Sequence, residues 1–156
     1  MKIHLCAVGR LRAGPERAMV ADYLDRFGKT GRALGLGPAI EHEFDDKTRQ
    51  GMQAEAELLA RAIPAGALIV TLDERGRLLS SPEFAAHLAK WRDSGRQDVA
   101  MVIGGADGID PALRARADLS ISFGAMVWPH RLVRVMLAEQ LYRAATILAG
   151  LPYHRS

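Results

Sequence analysis

Two short apolar runs place the strongest constraint on the fold of this 156-residue chain. Residues 67–72 and 99–103 are apolar at nearly every position, so both alternating sets of side chains in each run avoid water. A strand that is apolar on both faces must be covered on both, which is typical of a central strand in a parallel sheet flanked by helices. The runs therefore predict a sheet with helical layers on its two sides.

The remaining pattern alternates strands with helices. Further strands are predicted at residues 3–9, 39–44 and 119–123. Helices are predicted from Pro15, over 46–63, from Ser81 as N-cap residue, over 110–116 and over 132–148. The second strand is expected near an edge because its faces do not alternate cleanly. Loops are predicted at 28–38 and at 73–77, where the chain turns away from the third strand. This order predicts an α/β fold with a parallel-rich sheet, in a single domain over 1–156.

Charge and cysteine content limit the compartment and the partners. Residues 1–37 hold seven Lys/Arg against three acids, and residues 101–156 hold six against four. If these two parts meet in space, they form a basic surface compatible with a polyanion such as RNA. Cys6 is the only cysteine, and no apolar run approaches the ~18 residues that a membrane span requires. We expect a cytoplasmic protein with no membrane segment.

Three predicted strand ends carry the residues suited to a ligand site. In an open parallel sheet, ligands bind beyond the carboxyl ends of the strands. These ends are residues 71–73, 103–105 and 123–130. The chain lacks the G-x-G-x-x-G and G-x-x-x-x-G-K-[ST] phosphate motifs, a G-x-S-x-G elbow and histidines at metal-ligand spacing. The pattern predicts a ligand held by backbone groups and apolar walls, such as a purine or a thioether, and no metal.

The carboxy-terminal tail is the second candidate site. Tyr153, His154 and Arg155 follow the last predicted helix and a Gly150/Pro152 break. A terminus is normally the least constrained part of a domain, so three consecutive side chains of functional type suggest a role there. The pattern indicates a functional cluster of an aromatic ring, an imidazole and a guanidinium without assigning a separate role to each.

At this level of detail the sequence resembles a known family. The motifs are those of the RlmH family, bacterial large-subunit ribosomal RNA pseudouridine N3-methyltransferases of the SPOUT superfamily. They occur at residues 71–76, 80–84, 102–108, 129–130, 133–134, 139–144 and 152–155. The resemblance covers the whole chain and is densest from Leu68 onward.

The resemblance implies a fold, a cofactor, a substrate and site residues. The implied fold is a trefoil-knotted α/β methyltransferase, with the knot at about residues 67–156, acting as a homodimer. The implied cofactor is S-adenosylmethionine, and the implied substrate is N3 of a pseudouridine in 23S rRNA within the ribosome. The implied cofactor-binding residues are Leu72, Gly104, Phe123, Gly124, Ala125, Met126, Val127 and Trp128. The implied catalytic residues are His154, Arg155, Tyr153, His130 and Arg134.

Some positions depart from the family, and alternatives stay open. Ala106 stands where a proline is usual, and Val127 replaces a common threonine and so removes a hydroxyl. The apolar surface of the last helix exceeds one core-facing stripe, which indicates either a dimer contact or full burial within its own domain. The alternatives are an enzyme of the same superfamily on another RNA such as tRNA, and a non-catalytic RNA-binding protein of ribosome assembly.

Overall fold

The sheet is five-stranded and parallel throughout. In the computed structural model, which describes residues 1–45 and 51–155, the strands are β1 (Lys2–Val8), β2 (Ala39–Phe44), β3 (Leu68–Leu78), β4 (Asp98–Ile103) and β5 (Leu119–Ser122). Their spatial order is β2-β1-β4-β3-β5, and every neighbouring pair is parallel. The predicted α/β class is confirmed, and β2 is an edge strand as expected. The two doubly apolar strands, β3 and β4, are both interior, and β4 is the middle one.

Helices cover both faces of this sheet, as the doubly apolar strands require. The helices are α1 (Pro15–Gly31), α2 (Gly51–Ala62), α3 (Ser81–Asp93), α4 (Pro111–Ala115) and α5 (His130–Leu148), with a 3-10 turn at Arg32–Leu34. One core layer joins the sheet to α1, α3 and α5 through residues such as Phe27, Leu88 and Leu141. The other joins it to α2 and α4 through Leu59 and Leu113. Residues 46–50 of the predicted second helix lie outside the described residues. No helix within the described ranges is long and apolar enough to span a bilayer.

Two predicted loops are wrong, each for a local physical reason. The loop at 28–38 begins later than expected, because α1 continues to Gly31 and its last turns are held by the fully buried Phe27. The predicted turn after Leu72 is instead a continuation of β3 to Leu78, with a register shift against β5 between Leu72 and Arg77. Gly76 makes this return feasible, since a Cβ there would lie 2.6 Å from the backbone of Ile121.

Two helices begin earlier in the structure than the sequence predicted. Ser80, not Ser81, caps α3, and it forms a capping box with Glu83. The last helix begins at His130 and not at Leu132, directly after Pro129. This earlier start brings His130 into the first turn of α5, beside the loop that follows β5. The trefoil knot over residues 67–156 and the single-domain organisation stay predictions.

Candidate active site

A cavity of about 560 Å³ opens at the carboxyl ends of β4 and β5 and beside residues 72–75 of β3, where its pairing with β4 ends. This volume lies within the range of roughly 300–1,000 Å³ that is usual for small-molecule sites. Seven of the eight predicted cofactor-binding residues line it: Leu72, Gly104, Phe123, Gly124, Met126, Val127 and Trp128. Ala125 is exposed and does not line the cavity. The three strand ends selected from the sequence therefore meet at one place.

Glycines shape the loop between β4 and α4. The backbone carbonyl of Gly108 lies 2.4 Å from where a Cβ of Gly104 would stand, so no side chain fits at position 104. Next to it, a Cβ on Gly105 would lie 2.9 Å from a carboxylate oxygen of Glu55 on α2. The loop thus turns tightly, and at its three glycines it presents main chain to the cavity.

The loop between β5 and α5 forms the opposite wall. Met126 and Val127 are exposed over most of their surface, and Trp128 is 39% exposed. Gly124 has a φ of +120° with open space where a Cβ would stand. Large apolar groups at the mouth of a cavity can cover a ligand without contributing charge, which fits the apolar walls expected from the sequence.

An ionised carboxylate lies in the middle of β3, one residue after its pairing with β4 ends, and the prediction of site residues did not include it. The Asp73 side chain is nearly buried, and it accepts hydrogen bonds from Arg75 Nε at 2.9 Å and Nη2 at 3.0 Å, with Arg114 Nη1 at 3.5 Å. The hydrogen bond from Arg75 lowers the pKa of Asp73 from 3.8 to about 2. Asp73 therefore stays charged in the cavity wall. Its position directly after an apolar strand was the signal in the sequence.

His130 also lines the cavity. Its Nε2 lies 3.2 Å from the position that a Cβ of Gly9 would occupy, so the loop after β1 packs against the imidazole. Of the five predicted catalytic residues, His130 is the one that the described structure brings to this cavity.

Arg134 lies one turn further along α5 but points into the protein. Its side chain is 1% exposed, it donates a 2.6 Å hydrogen bond to the carbonyl oxygen of Gly9, and it forms an ion pair with Glu43. Arg17 of α1 pairs with Glu43 as well, and with Glu41 at 2.8 Å. Burial lowers the pKa of Arg134, and the carboxylates of Glu43 and Glu41 oppose that effect. The network ties α5, α1, β2 and the loop after β1 together.

The signal for these partners was present in the second strand. Glu41 and Glu43 stand two residues apart, so their side chains share a face of β2. Through the register with Leu5 and Ala7 they face the layer of α1 and α5. Two acids on the covered face of a strand require buried cations.

The tail lies at the other end of α5. The Tyr153 hydroxyl donates a 3.0 Å hydrogen bond to Glu139 Oε1, and its ring packs on Tyr142 with centroids 4.6 Å apart. Arg143 lies against Tyr153 and contacts His154 Nδ1 at 3.2 Å. Burial, followed by the bond to Glu139, raises the pKa of Tyr153. Neither Tyr153, His154 nor Arg155 lines the cavity. The structure therefore separates the two predicted parts of the site within one chain.

The comparisons with known proteins cover nearly the whole chain. The family model described as "Predicted SPOUT methyltransferase" matches residues 1–154. A protein of Ruegeria pomeroyi is 71% identical over 155 residues, covering 99% of each chain. One of Roseobacter denitrificans is 69% identical over 156 residues, covering all of both. Both are named ribosomal RNA large subunit methyltransferase H.

A solved structure supports the fold independently. The structure of a probable methylase family protein from Haemophilus influenzae aligns with a TM-score of 0.53 at 12% identity. The alignment covers 99% of this chain and 70% of the other. At this identity the likeness concerns the fold alone.

Proposed function

Because the chain belongs to the SPOUT methyltransferase family, we propose that it methylates N3 of a pseudouridine in 23S rRNA with S-adenosylmethionine as methyl donor. The observation that carries this proposal is the cavity at three parallel strand ends, on a chain that matches large-subunit rRNA methyltransferases from end to end. The substrate class comes from those relatives, and the pseudouridine nitrogen from the resemblance of the sequence motifs.

The residues around the cavity suit the donor. Leu72, Ile103, Phe123 and Val133 supply apolar walls for a purine and a thioether chain. The glycine loop at 104–108 supplies main-chain groups for polar parts, and the pairing of Asp73 with Arg75 and Arg114 keeps the neighbouring cavity wall in place. We propose that all eight predicted cofactor-binding residues contribute to this site. Ala125 does not line the cavity and would contribute as part of the loop between β5 and α5.

The main task of the protein in this reaction is to align the methyl carbon, the sulfur and the acceptor nitrogen. S-adenosylmethionine, when bound, supplies a methyl group already activated on a sulfonium sulfur, so the reaction requires neither a metal nor a covalent enzyme intermediate. Holding two reactants in line can lower the activation free energy by roughly 7–11 kcal/mol. Met126, Val127 and Trp128 would shield the reacting groups from water, and His130 at the cavity wall would face the acceptor base.

The acceptor end requires a second copy of the chain. The tail folds back along α5 only as far as Glu139 and Arg143, which stand nine and thirteen residues after His130, or about 14 and 20 Å at 1.5 Å per residue. We propose a homodimer in which a twofold axis sets the tail of one copy beside the cavity of the other. Tyr153, His154 and Arg155 would then meet the base there, while Arg134 would support His130 from within.

Exposed apolar groups favour such a dimer. Much of the apolar surface of α5 is already buried within the chain, but Leu132 remains 41% exposed, and Met126 and Val127 before the helix are 72% and 81% exposed. The basic amino-terminal and carboxy-terminal parts also meet, since α1 packs on α5. That surface suits an rRNA partner, and work on ribosomes implies the cytoplasm.

The test follows labelled methyl from S-adenosylmethionine into 70S ribosomes, free 23S rRNA and tRNA, with the modified nucleoside located by mass spectrometry. We expect label in N3-methylpseudouridine of 23S rRNA. Label in tRNA alone would assign another RNA. Absence of both donor binding and transfer would favour a non-catalytic RNA-binding role.

A further inference from the structure

A polar cluster at the carboxy-terminal end of α5 has no part in the cavity. Glu139 Oε1 accepts hydrogen bonds from Arg143 Nε at 3.0 Å, from Arg143 Nη2 at 2.6 Å and from the Tyr153 hydroxyl at 3.0 Å. The third guanidinium nitrogen of Arg143, Nη1, lies 3.2 Å from His154 Nδ1. These residues belong to the motif at 139–144 and to the tail, and the proposed function so far leaves the motif without a role.

Arg143 determines which nitrogen of His154 carries the proton. A guanidinium has hydrogen-bond donors only, and the hydrogen bond with Glu139 raises the pKa of Arg143 further, so it stays charged. The contact at 3.2 Å is a hydrogen bond only if Nδ1 of His154 accepts. A ring whose Nδ1 accepts is neutral and carries its hydrogen on Nε2. A protonated ring, or a ring with its hydrogen on Nδ1, would set an N–H against the N–H of Arg143.

We propose that the Glu139–Arg143 pair is a positioning device that fixes His154 as a hydrogen-bond donor through Nε2–H. This inference rests on the proposed function and deepens it. The oxygen atoms that flank an imide nitrogen gain negative charge as that nitrogen loses its proton, and Nε2–H donates to one of them. His154 is then not the group that accepts the imide proton, which passes instead to the imidazole of His130 in the cavity wall.

The Glu139–Arg143 positioning device also holds the tail in a defined place on α5. Arg143 lies with its guanidinium carbon 4.8 Å from the ring centroid of Tyr153, and Tyr153 also packs on Tyr142. The carboxylate of Glu139 orients Arg143 and Tyr153 together, so the two residues before Arg155 are held by one acid. Glu139 and Arg143 act through His154 and do not contact the substrate.

If His154 acts as a hydrogen-bond donor, its substitutions affect methylation differently than if it acts as a base. His154→Gln keeps an N–H near the position of Nε2 but cannot accept a proton, whereas His154→Phe removes both abilities. In single-turnover methylation of rRNA we expect His154→Gln to stay within about tenfold of wild type and His154→Phe to lose about 10- to 100-fold more, the scale of a hydrogen bond to a charged group. His87→Gln on α3 is the control and should match wild type. Equal losses in the Gln and Phe variants would overturn the donor role.

The tautomer is measurable without any reaction. In protein labelled with 15N-histidine, we expect the His154 ring to show a protonated Nε2 and an unprotonated, hydrogen-bonded Nδ1. Arg143→Met should shift the Nδ1 resonance toward that of a free ring nitrogen, and Glu139→Gln should do so partly, with both variants folded by their melting curves. A proton on Nδ1 in the wild type, or an Nδ1 signal unmoved by Arg143→Met, would refute the positioning device even if rRNA methylation is confirmed. If methylation instead fails in the wild type, the ring measurement still decides the inference.

Discussion

Arg134 donates a 2.6 Å hydrogen bond to the carbonyl oxygen of Gly9, 125 residues earlier in the chain. The same guanidinium pairs with Glu43, and its side chain is 1% exposed. Gly9 in turn packs against His130. Arg134, a catalytic residue implied by the family resemblance, is thus a buried link between the sheet and the start of α5, next to the loop that packs against His130.

Arg134→Met should destabilise the protein strongly. It leaves the carboxylates of Glu41 and Glu43 without one of their cations in the protein interior, and breaking a buried pair costs about 3–5 kcal/mol. Urea unfolding measures the loss, and Arg131→Met, an exposed arginine on the same helix, serves as the control with little change expected. A stable Arg134→Met protein with abolished methylation would instead return Arg134 to direct catalysis.

Ala106→Trp should block donor binding. Gly104→Val is the obvious substitution from sequence, but a Cβ at Gly104 would meet the Gly108 carbonyl, so that variant would distort the loop itself. Ala106 is exposed and lines the cavity, so an indole there fills space without a backbone clash. In the wild type, S-adenosylmethionine at 100 times its Kd should stabilise folding by about 2.7 kcal/mol.

Thermal or urea unfolding with and without the donor checks this expectation. Ala115→Trp, on the exposed side of α4, is the matched control and should keep the stabilisation. A full effect of the donor on Ala106→Trp would place its site outside this cavity.

Asp73 should make stability depend on acid pH. Its folded pKa lies below its ordinary value, so its ion pair is fully present above 3.8 and is lost as the pH falls toward about 2. The difference in unfolding free energy between wild type and Asp73→Asn should therefore shrink as the pH is lowered through this window. Urea titrations at a series of pH values measure it, and a constant difference would mean that Arg75 and Arg114 do not hold the carboxylate in solution.

Mixing two inactive proteins should restore activity. Ala106→Trp keeps its tail but lacks a donor site, and a chain without residues 152–156 keeps its cavity but lacks the tail. If the tail acts across a dimer, random exchange of subunits should give roughly a quarter of the wild-type rate, because half of the dimers are mixed and each holds one complete site.

Single-turnover methylation of the mixture, with sedimentation to verify exchange, is the measurement. The truncated chain should keep its melting temperature to within a few degrees, because the tail packs on the surface of α5. Exchange without any recovered activity would show that the tail does not complete the partner's site.

Local patterns in the sequence were enough to predict the order of elements and the position of the cavity. The apolar runs of β3 and β4 specify interior parallel strands, and parallel strands bring their carboxyl ends to one edge. The strand ends at 71–73, 103–105 and 123–130 could therefore be chosen without coordinates, and the family resemblance narrowed them to Leu72, Gly104 and residues 123–128. Asp73 was also within reach of local pattern, because its main partner Arg75 stands two residues away; only its contact with Arg114, 41 residues away, depends on the tertiary structure.

Tertiary structure alone decided which predicted residues meet. Arg134 and His130 stand four residues apart on one helix, yet one points into the protein and the other lines the cavity. The reason for the first is Glu43, which is 91 residues distant in sequence and reaches Arg134 only through the pairing of β2 with β1. The contacts of Tyr153 with Glu139 and of His154 with Arg143 likewise hold the tail on α5, away from the cavity within one chain. Periodicity reports which face of an element avoids water, whereas the partner of a buried charge is set by contacts between elements that no local pattern contains.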